Sequence, residues 1–424
     1  MSGFVPNGAN TIAAYTLSTS KAGNINIFAR RLFLSDGGII ASTTFNIGAG
    51  GRITVNAEMI EIIGTRNGNG ALFANSFGPG NSGDIAINTR TLSVSNGGRL
   101  TTASFSNGDG GNLTINASES VEVSGSNPID ATPSRIRSSV AIASASVRRA
   151  FPGLPDVPSG ASGNLTINTP NLTVTEQGFV SVSNEGMGRG GTLTVNAGSV
   201  LLSGNGSLSA TTASGEAGNI ALQVQNLQMR RNSSITTTAG LGDGTGNGGN
   251  LTINADAIAA LENSDITANA VKGRGGNISI STSGIFGTQY RPQQTSESDI
   301  TAASQFGLSG IVAITNPQVE TRSFLVELPQ NLVDPSQQIT NGCAANGGNT
   351  FSITGRGGLP ENPSSALLGR AVWWDNRDLS NVSQTAQKLP QTETTPLIVE
   401  ATGWRINAQG QVELVADAAG GSNS

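Results

Sequence analysis

Gly111-Asn112-Leu113-Thr114-Ile115-Asn116-Ala117 is the stretch on which the fold turns, and Gly249-Asn250-Leu251-Thr252-Ile253-Asn254-Ala255 repeats it letter for letter. In both, Leu, Ile and Ala alternate with Thr and Asn, so an extended chain has one apolar and one polar face. Looser copies of Gly-Asn-(Leu/Ile)-x-(Ile/Val)-Asn-(Ala/Thr) begin at Gly23, Gly51, Gly83, Gly163, Gly191, Gly218 and Gly276. Successive differences in residue number are 28, 32, 28, 52, 28, 27, 31 and 27. A recurring period of about 20–50 residues marks a solenoid, propeller or array.

Each unit holds three short segments of period two. In the unit at Gly191 they are residues 193–197, 200–202 and 207–212, followed by a Gly-rich stretch. Three strands in about 28 residues fit one coil of a β-helix, whereas a propeller blade needs four strands and about 40 residues. The fold class is therefore all-β, a right-handed parallel β-helix. Its recognisable coils, stacked about 4.8 Å apart, predict a rod of about 40–45 Å. Ile115 is expected to point inward between Ile87 and Ile167, with Thr114 outward. Asn-Gly, Gly-Gly and Asp-Gly steps are expected to supply positive φ at coil corners. Asn56, Asn88, Asn116, Asn168, Asn196 and Asn254 share one repeat position and predict an amide ladder serving backbone groups at turns.

One unit is longer than 28 residues by 24, between Gly111 and Gly163. Its Pro152, Pro155 and Pro158 disfavour a ladder strand, so residues 148–160 read as a projecting loop. The repeat array spans 1–285, and 286–326 form a last coil and exit, with Ser298 to Ser304 running into Gly310 to Ile314. Residues 327–424 lack the repeat and hold Trp373, Trp374 and Trp404. Within them 397–415 read as a closing hairpin that turns at Asn407-Ala408-Gln409-Gly410. An open solenoid end needs a cover, and this tail is the expected cap.

Composition narrows the function classes. Of 424 residues 57 are Gly, aromatics are 4% and charged residues 12%, about half the usual share of the last. There is no histidine, which excludes a Ser-His-Asp triad and a His-ligated zinc. Cys343 is the single cysteine, so no intramolecular disulfide can form. Net charge is -5, lysine occurs only at Lys21, Lys272 and Lys388, and no basic stripe is visible, so nucleic acid is not an expected partner. No run of 18 apolar residues could span a membrane as a helix. Met1-Ser2-Gly3-Phe4-Val5-Pro6 offers neither a basic n-region nor an apolar h-region, so no signal peptide is read there.

The Gly-Asn-Leu-Thr-Ile-Asn-Ala units, alternating with segments such as Leu208-Ser209-Ala210-Thr211-Thr212, resemble the repeats of filamentous-haemagglutinin-like exoproteins of two-partner secretion systems. The tail extends the likeness through Leu328-Pro329-Gln330-Asn331-Leu332-Val333-Asp334-Pro335-Ser336, Asn341-Gly342-Cys343 and Thr354-Gly355-Arg356-Gly357-Gly358-Leu359-Pro360. That string is similar to the C-terminal end of the branch labelled S-layer family or haemagglutination-activity-domain proteins. The resemblance implies export through an outer-membrane β-barrel transporter and folding outside the cell. It also implies adhesion to a cell-surface or matrix ligand, glycan or protein. The family's N-terminal Asn-Pro-Asn-Gly-Ile-type motif is not in this sequence, so the chain is expected to be a downstream part of a larger exoprotein.

Parallel β-helices also include pectate-lyase-like enzymes, whose sites cluster carboxylates with Arg, Lys or His. Here Asp84, Asp109, Glu119, Glu122, Glu176 and Glu185 are scattered, and no catalytic, cofactor-binding or metal-ligating residue is assigned. Gly242-Asp243-Gly244-Thr245-Gly246-Asn247-Gly248-Gly249-Asn250 resembles a calcium turn but has one aspartate and reads as a plain turn. Arg356 reads as a packing or turn residue. The expectation is a secreted or surface-exposed adhesin or structural protein, not an enzyme and without cofactor. The alternatives are a carbohydrate-active β-helix enzyme and a non-functional exoprotein fragment.

Overall fold

The computed structural model describes residues 10–240 and 244–315, together with the strand pair Gly403–Ile406 and Val412–Val415. The chain divides into two units, 1–326 and 327–424. Within the first, the repeat becomes a parallel β-helix. Long strands such as Leu113–Ser124, Leu165–Thr175 and Thr192–Ser203 stack into one parallel sheet. Short strands such as Arg99–Ser104, Arg135–Val140 and Phe179–Asn184 stack into a second. The Gly-rich stretches close the third side of each coil. The described helix is a single short one, Ala145–Ala150.

The first two expected segments of each unit are one bent strand rather than two. In the unit at Gly191, pairing with the next coil runs from Thr192 to Ala197, skips Gly198, and resumes at Ser199. One residue suffices for the bend, so the hydrogen-bond ladder continues across it. Pro170 occupies the equivalent place one coil earlier, where a missing N–H is tolerated.

Alternation places the apolar positions inside. Ile87, Ile115, Ile167 and Val195 are register partners in successive coils, and each is fully buried. Thr114 lies one residue away on the outer face and is half-buried by its neighbours. On the short-strand sheet the inward positions begin with an aliphatic residue, as at Leu72, Leu100, Ile136 and Val180, and then turn small or polar. Thr102 and Ser138 Oγ both donate to the Gly111 carbonyl, at 2.6 and 2.9 Å. Ser76 Oγ and Thr212 Oγ1 donate to Gly80 and Gly215 carbonyls at 2.5 and 2.6 Å. These hydroxyls tie the Gly-rich side to the core and satisfy its backbone.

The repeat glycine has a different reason from the one expected. Positive φ occurs at the corner between long and short strand, for example Asn96 at 52° and Gly97 at 93°. The glycine that opens each unit is not among the positive-φ residues. Instead, a Cβ on Gly111 would lie 1.9 Å from the Gly83 carbonyl oxygen, and one on Gly163 would lie 2.1 Å from that of Gly111. Close approach of stacked backbones, rather than left-handed geometry, requires glycine there.

The long unit also differs from expectation. Its extra residues are split around one short strand, Arg135–Val140, with 125–134 before it and 141–160 after it. Asn127 anchors the first insertion through Nδ2 to the Thr65 carbonyl at 3.0 Å and Asn69 Oδ1 at 2.6 Å. The second does not simply project. The helix Ala145–Ala150 begins it, Leu154 is buried, and Phe151 stacks on Phe45 and Phe77 at 5.4 and 4.8 Å. Phe77 stacks in turn on Phe105 at 4.9 Å.

The last described coil contains Asp299–Thr301, paired with Asp265–Thr267, and Val312–Thr315, paired with Ile278–Phe286. In the second unit, Gly403–Ile406 and Val412–Val415 pair antiparallel, inside the stretch 397–415. The capping role of 327–424, the turn at 407–410, Cys343 and Arg356 lie outside the described residues.

Candidate functional site

Two outward faces of the β-helix have built chemistry. The first is on the long-strand sheet. Asn88 Nδ2 donates to Asn56 Oδ1 at 2.9 Å, Asn116 to Asn88 at 2.9 Å, Asn168 to Asn116 at 2.8 Å, and Asn196 to Asn168 at 2.7 Å. Gln223 takes the next position and accepts from Asn254 at 3.1 Å. The expected ladder thus exists, but it is amide to amide in mid-strand on the outside, not at a turn. A shallow trough runs beside its middle, lined by the amides from Asn88 to Gln223 and by Ala117, Pro170 and Ala197.

The backbone service expected of that ladder falls to the other repeated asparagine, the one after glycine. Asn112 Oδ1 accepts from the Asn164 N–H at 3.0 Å, and Asn164 Oδ1 from Thr192 N–H at 2.8 Å. Asp84 does the same for Asn112 at 2.8 Å, and Asp109 for Ala161 at 2.8 Å. Asp84 and Asp109 line one corner groove with Lys21 and Arg52, and in each one carboxylate oxygen is used by a backbone N–H. Glu119 pairs with Arg90 at 2.8 Å and Glu185 with Arg137 at 2.7 Å. Glu122 accepts from Ser124 at 3.0 Å, and Glu176 stands at a turn with φ 50°. Among the described residues no three Cys, Asp or Glu side chains gather as metal ligands, and no helix is long and apolar enough to cross a membrane. Asp243 lies outside the described residues.

Comparison with protein-family models, curated proteins and solved structures finds no match to this chain. The chemistry of its surfaces therefore has to be read from the residues themselves.

The second face is the outside of the short-strand sheet. Register sets its side chains in rows along the helix axis. One row runs Ala71, Arg99, Arg135, Phe179, Ser207, and the row beside it Phe73, Thr101, Arg137, Ser181, Ser209. Three arginines thus meet on two neighbouring strands. Arg137 is spoken for: its Nε donates to Ser183 Oγ at 2.8 Å and its Nη2 to Glu185 Oε1 at 2.7 Å. Glu185 also accepts from the Ile142 N–H at 2.9 Å, which fixes the start of the second insertion.

Arg99 and Arg135 are in none of the ion pairs formed among the described residues. Arg99 Nε is buried without a hydrogen-bond partner. Burial, then the charges of Arg99 and Arg137, push the Arg135 guanidinium down to about 10, with exposed Asp130 acting the other way. Burial likewise lowers Arg99. Beside Arg137 and its partner Glu185 lies a groove of about 290 Å³ between Phe179 and Thr211, lined also by Ser181, Ser207 and Ser209, while Arg99 and Arg135 stand farther along the Phe179 row. Ser181 is 4% exposed and its Oγ has no partner.

A contrasting charged cluster sits at the last coil. Arg291 pairs with fully buried Asp299 and with Glu297. Burial alone would raise the Asp299 carboxyl, but the Thr295 N–H, the Arg291 guanidinium and the Thr295 hydroxyl outweigh it and hold it below the usual range. In that cluster the one cation is matched by carboxylates and closes a loop, whereas Arg99 and Arg135 close no ion pair.

Proposed function

We propose that this chain is the β-helical stalk of an exported, filamentous-haemagglutinin-like surface protein that adheres through repeated weak contacts. In this reading the full-length protein leaves the cell through an outer-membrane β-barrel transporter and stands outside it. The supporting observation is the recurrence of the same outward amide, Asn56, Asn88, Asn116, Asn168 and Asn196, coil after coil in one hydrogen-bonded line. A ligand with its own repeat, such as a glycan, can touch several such positions at once, and many weak contacts multiply. The resemblance of the repeats and the tail to exoproteins points the same way.

The test is adhesion. Beads coated with the full chain should be retained on cell surfaces or matrix in flow. Retention should fall steeply when the ladder asparagines are changed to Ala in two, then four, coils. Beads that adhere no better than bare ones, or adhesion indifferent to the ladder, would overturn the proposal.

A further inference from the structure

We propose that Arg99 and Arg135, with Phe179 and the hydroxyl groove beyond it, form a binding site for an oxyanion-bearing saccharide, the anion being a sugar carboxylate in the first instance. The inference deepens the adhesive reading by naming a ligand chemistry, and it rests on different residues from the amide ladder.

The first support is the pairing itself. Arg99 and Arg135 are direct register partners on adjacent parallel strands. Like charges set side by side across a sheet are destabilising, and burial adds to the cost. Two other outward arginines of the β-helix take a carboxylate from a neighbouring coil, Arg90 from Glu119 and Arg230 from Glu262. Asp130 and Glu185 are the acidic groups at this place, and neither closes an ion pair with Arg99 or Arg135. Two planar guanidinium forks side by side can take one oxyanion through paired N–H donors.

The second support is unfilled hydrogen-bonding capacity. Arg99 Nε and Ser181 Oγ are both buried and unpartnered. Such groups are rare and costly in a folded protein unless something else satisfies them. Ser181 lines the groove, so a bound hydroxyl there would complete it.

The third support is shape. Phe179 sits in the same row as Arg99 and Arg135, and Ser207 follows it. Along the axis a ligand therefore meets two cations, an aromatic ring and then hydroxyls, at intervals of about 4.8 Å. Anion, flat ring face and hydroxyls in line are what an acidic sugar chain presents. The two insertions stand at either end of Arg135–Val140, the strand that holds Arg135 and Arg137. The irregular part of the array is thus built around this strand.

The experiment uses the full chain and three probes of equal length: oligogalacturonate, dextran sulfate and neutral dextran. Calorimetry at low salt should show binding of oligogalacturonate and none of neutral dextran. Equal binding of dextran sulfate would assign the site to oxyanions generally, and weaker binding would assign it to carboxylates. Arg99→Gln and Arg135→Gln should each weaken binding about tenfold or more, as for loss of a charge-assisted fork. Arg90→Gln, on the other sheet, should leave it unchanged. The thermal midpoint of Arg135→Gln should equal or exceed that of the parent, because a like-charge contact is relieved. Unchanged affinity in the Arg99→Gln/Arg135→Gln double variant would overturn the proposal, as would equal losses in Arg90→Gln or tighter binding of a single-stranded oligonucleotide. Bead adhesion and oligogalacturonate binding measured side by side on the unsubstituted chain separate the two readings. Adhesion without oligogalacturonate binding removes this site and leaves the stalk, and the reverse removes the stalk reading alone.

Discussion

The two sheets of the β-helix share every coil but are built to different rules. Inside the long strands, aliphatic columns such as Ile87–Ile115–Ile167–Val195 continue unbroken from coil to coil. Inside the short strands, one aliphatic column stands beside hydroxyls that reach across to the Gly-rich side. Outside, the long-strand sheet repeats one amide, whereas the short-strand sheet changes from Phe73 to Arg137 to Ser181 along a single row. The difference separates two duties. The aliphatic columns set the register and supply most of the burial. The short strands are held from within by hydrogen bonds to fixed carbonyls, so their outer residues can vary without disturbing the coil.

The most severe way to break that division is to charge an aliphatic column. Ile115→Asp buries a carboxylate with no partner and should cost more than about 3 kcal/mol. Thr114→Asp, on the outer face of the same strand, should cost about 0.5 kcal/mol or less. Chemical denaturation of both variants checks this, and equal losses would place the register one residue out. A smaller loss is expected at the corner both sheets depend on. Gly111→Ala puts a methyl into the Gly83 carbonyl, and overpacking of this kind costs about 1–3 kcal/mol. A neutral result there would mean that the stacked backbones can part, contrary to their close approach. The smallest effect sharpens the comparison. Thr102→Val should cost about 1 kcal/mol, because Ser138 still donates to the Gly111 carbonyl. The Thr102→Val/Ser138→Ala pair should cost more than the two single changes together, since that carbonyl loses both hydroxyl donors. Strict additivity would show that the hydroxyl columns only fill space.

How much of this could be read from the sequence depended on whether period alone carried it. Ile115 and Thr114 could be placed because alternation needs no knowledge of neighbours. The two asparagines of each unit recur equally well, and only the coil geometry tells which one meets a backbone N–H and which meets another amide. The repeat glycine could be seen but not explained, since close approach leaves no different mark from positive φ. Arg99 and Arg135 were hidden by arithmetic. They stand 36 residues apart where the common step is 28, because the corner before Arg135 holds ten residues, 125–134, in place of three, and the long strand Leu113–Ser124 has one residue more at its bend. A basic pair that adjoins in space is therefore out of phase in the sequence. The stack of Phe45, Phe77 and Phe105 keeps the period, but Phe151 arrives from the irregular coil and does not.

That stray phenylalanine bears on how the array avoids pairing wrongly. Coils this alike could slip past one another by a whole unit, aliphatic on aliphatic and amide on amide, with little lost in contacts. A slipped form would have no place for the 52-residue unit, because Phe151 must reach back to Phe45 and Phe77, and Asn127 to Thr65 and Asn69. Those contacts are met at one alignment only. The irregular coil works as a key cut for a single lock, and it lets monotonous neighbours remain monotonous without losing count of themselves.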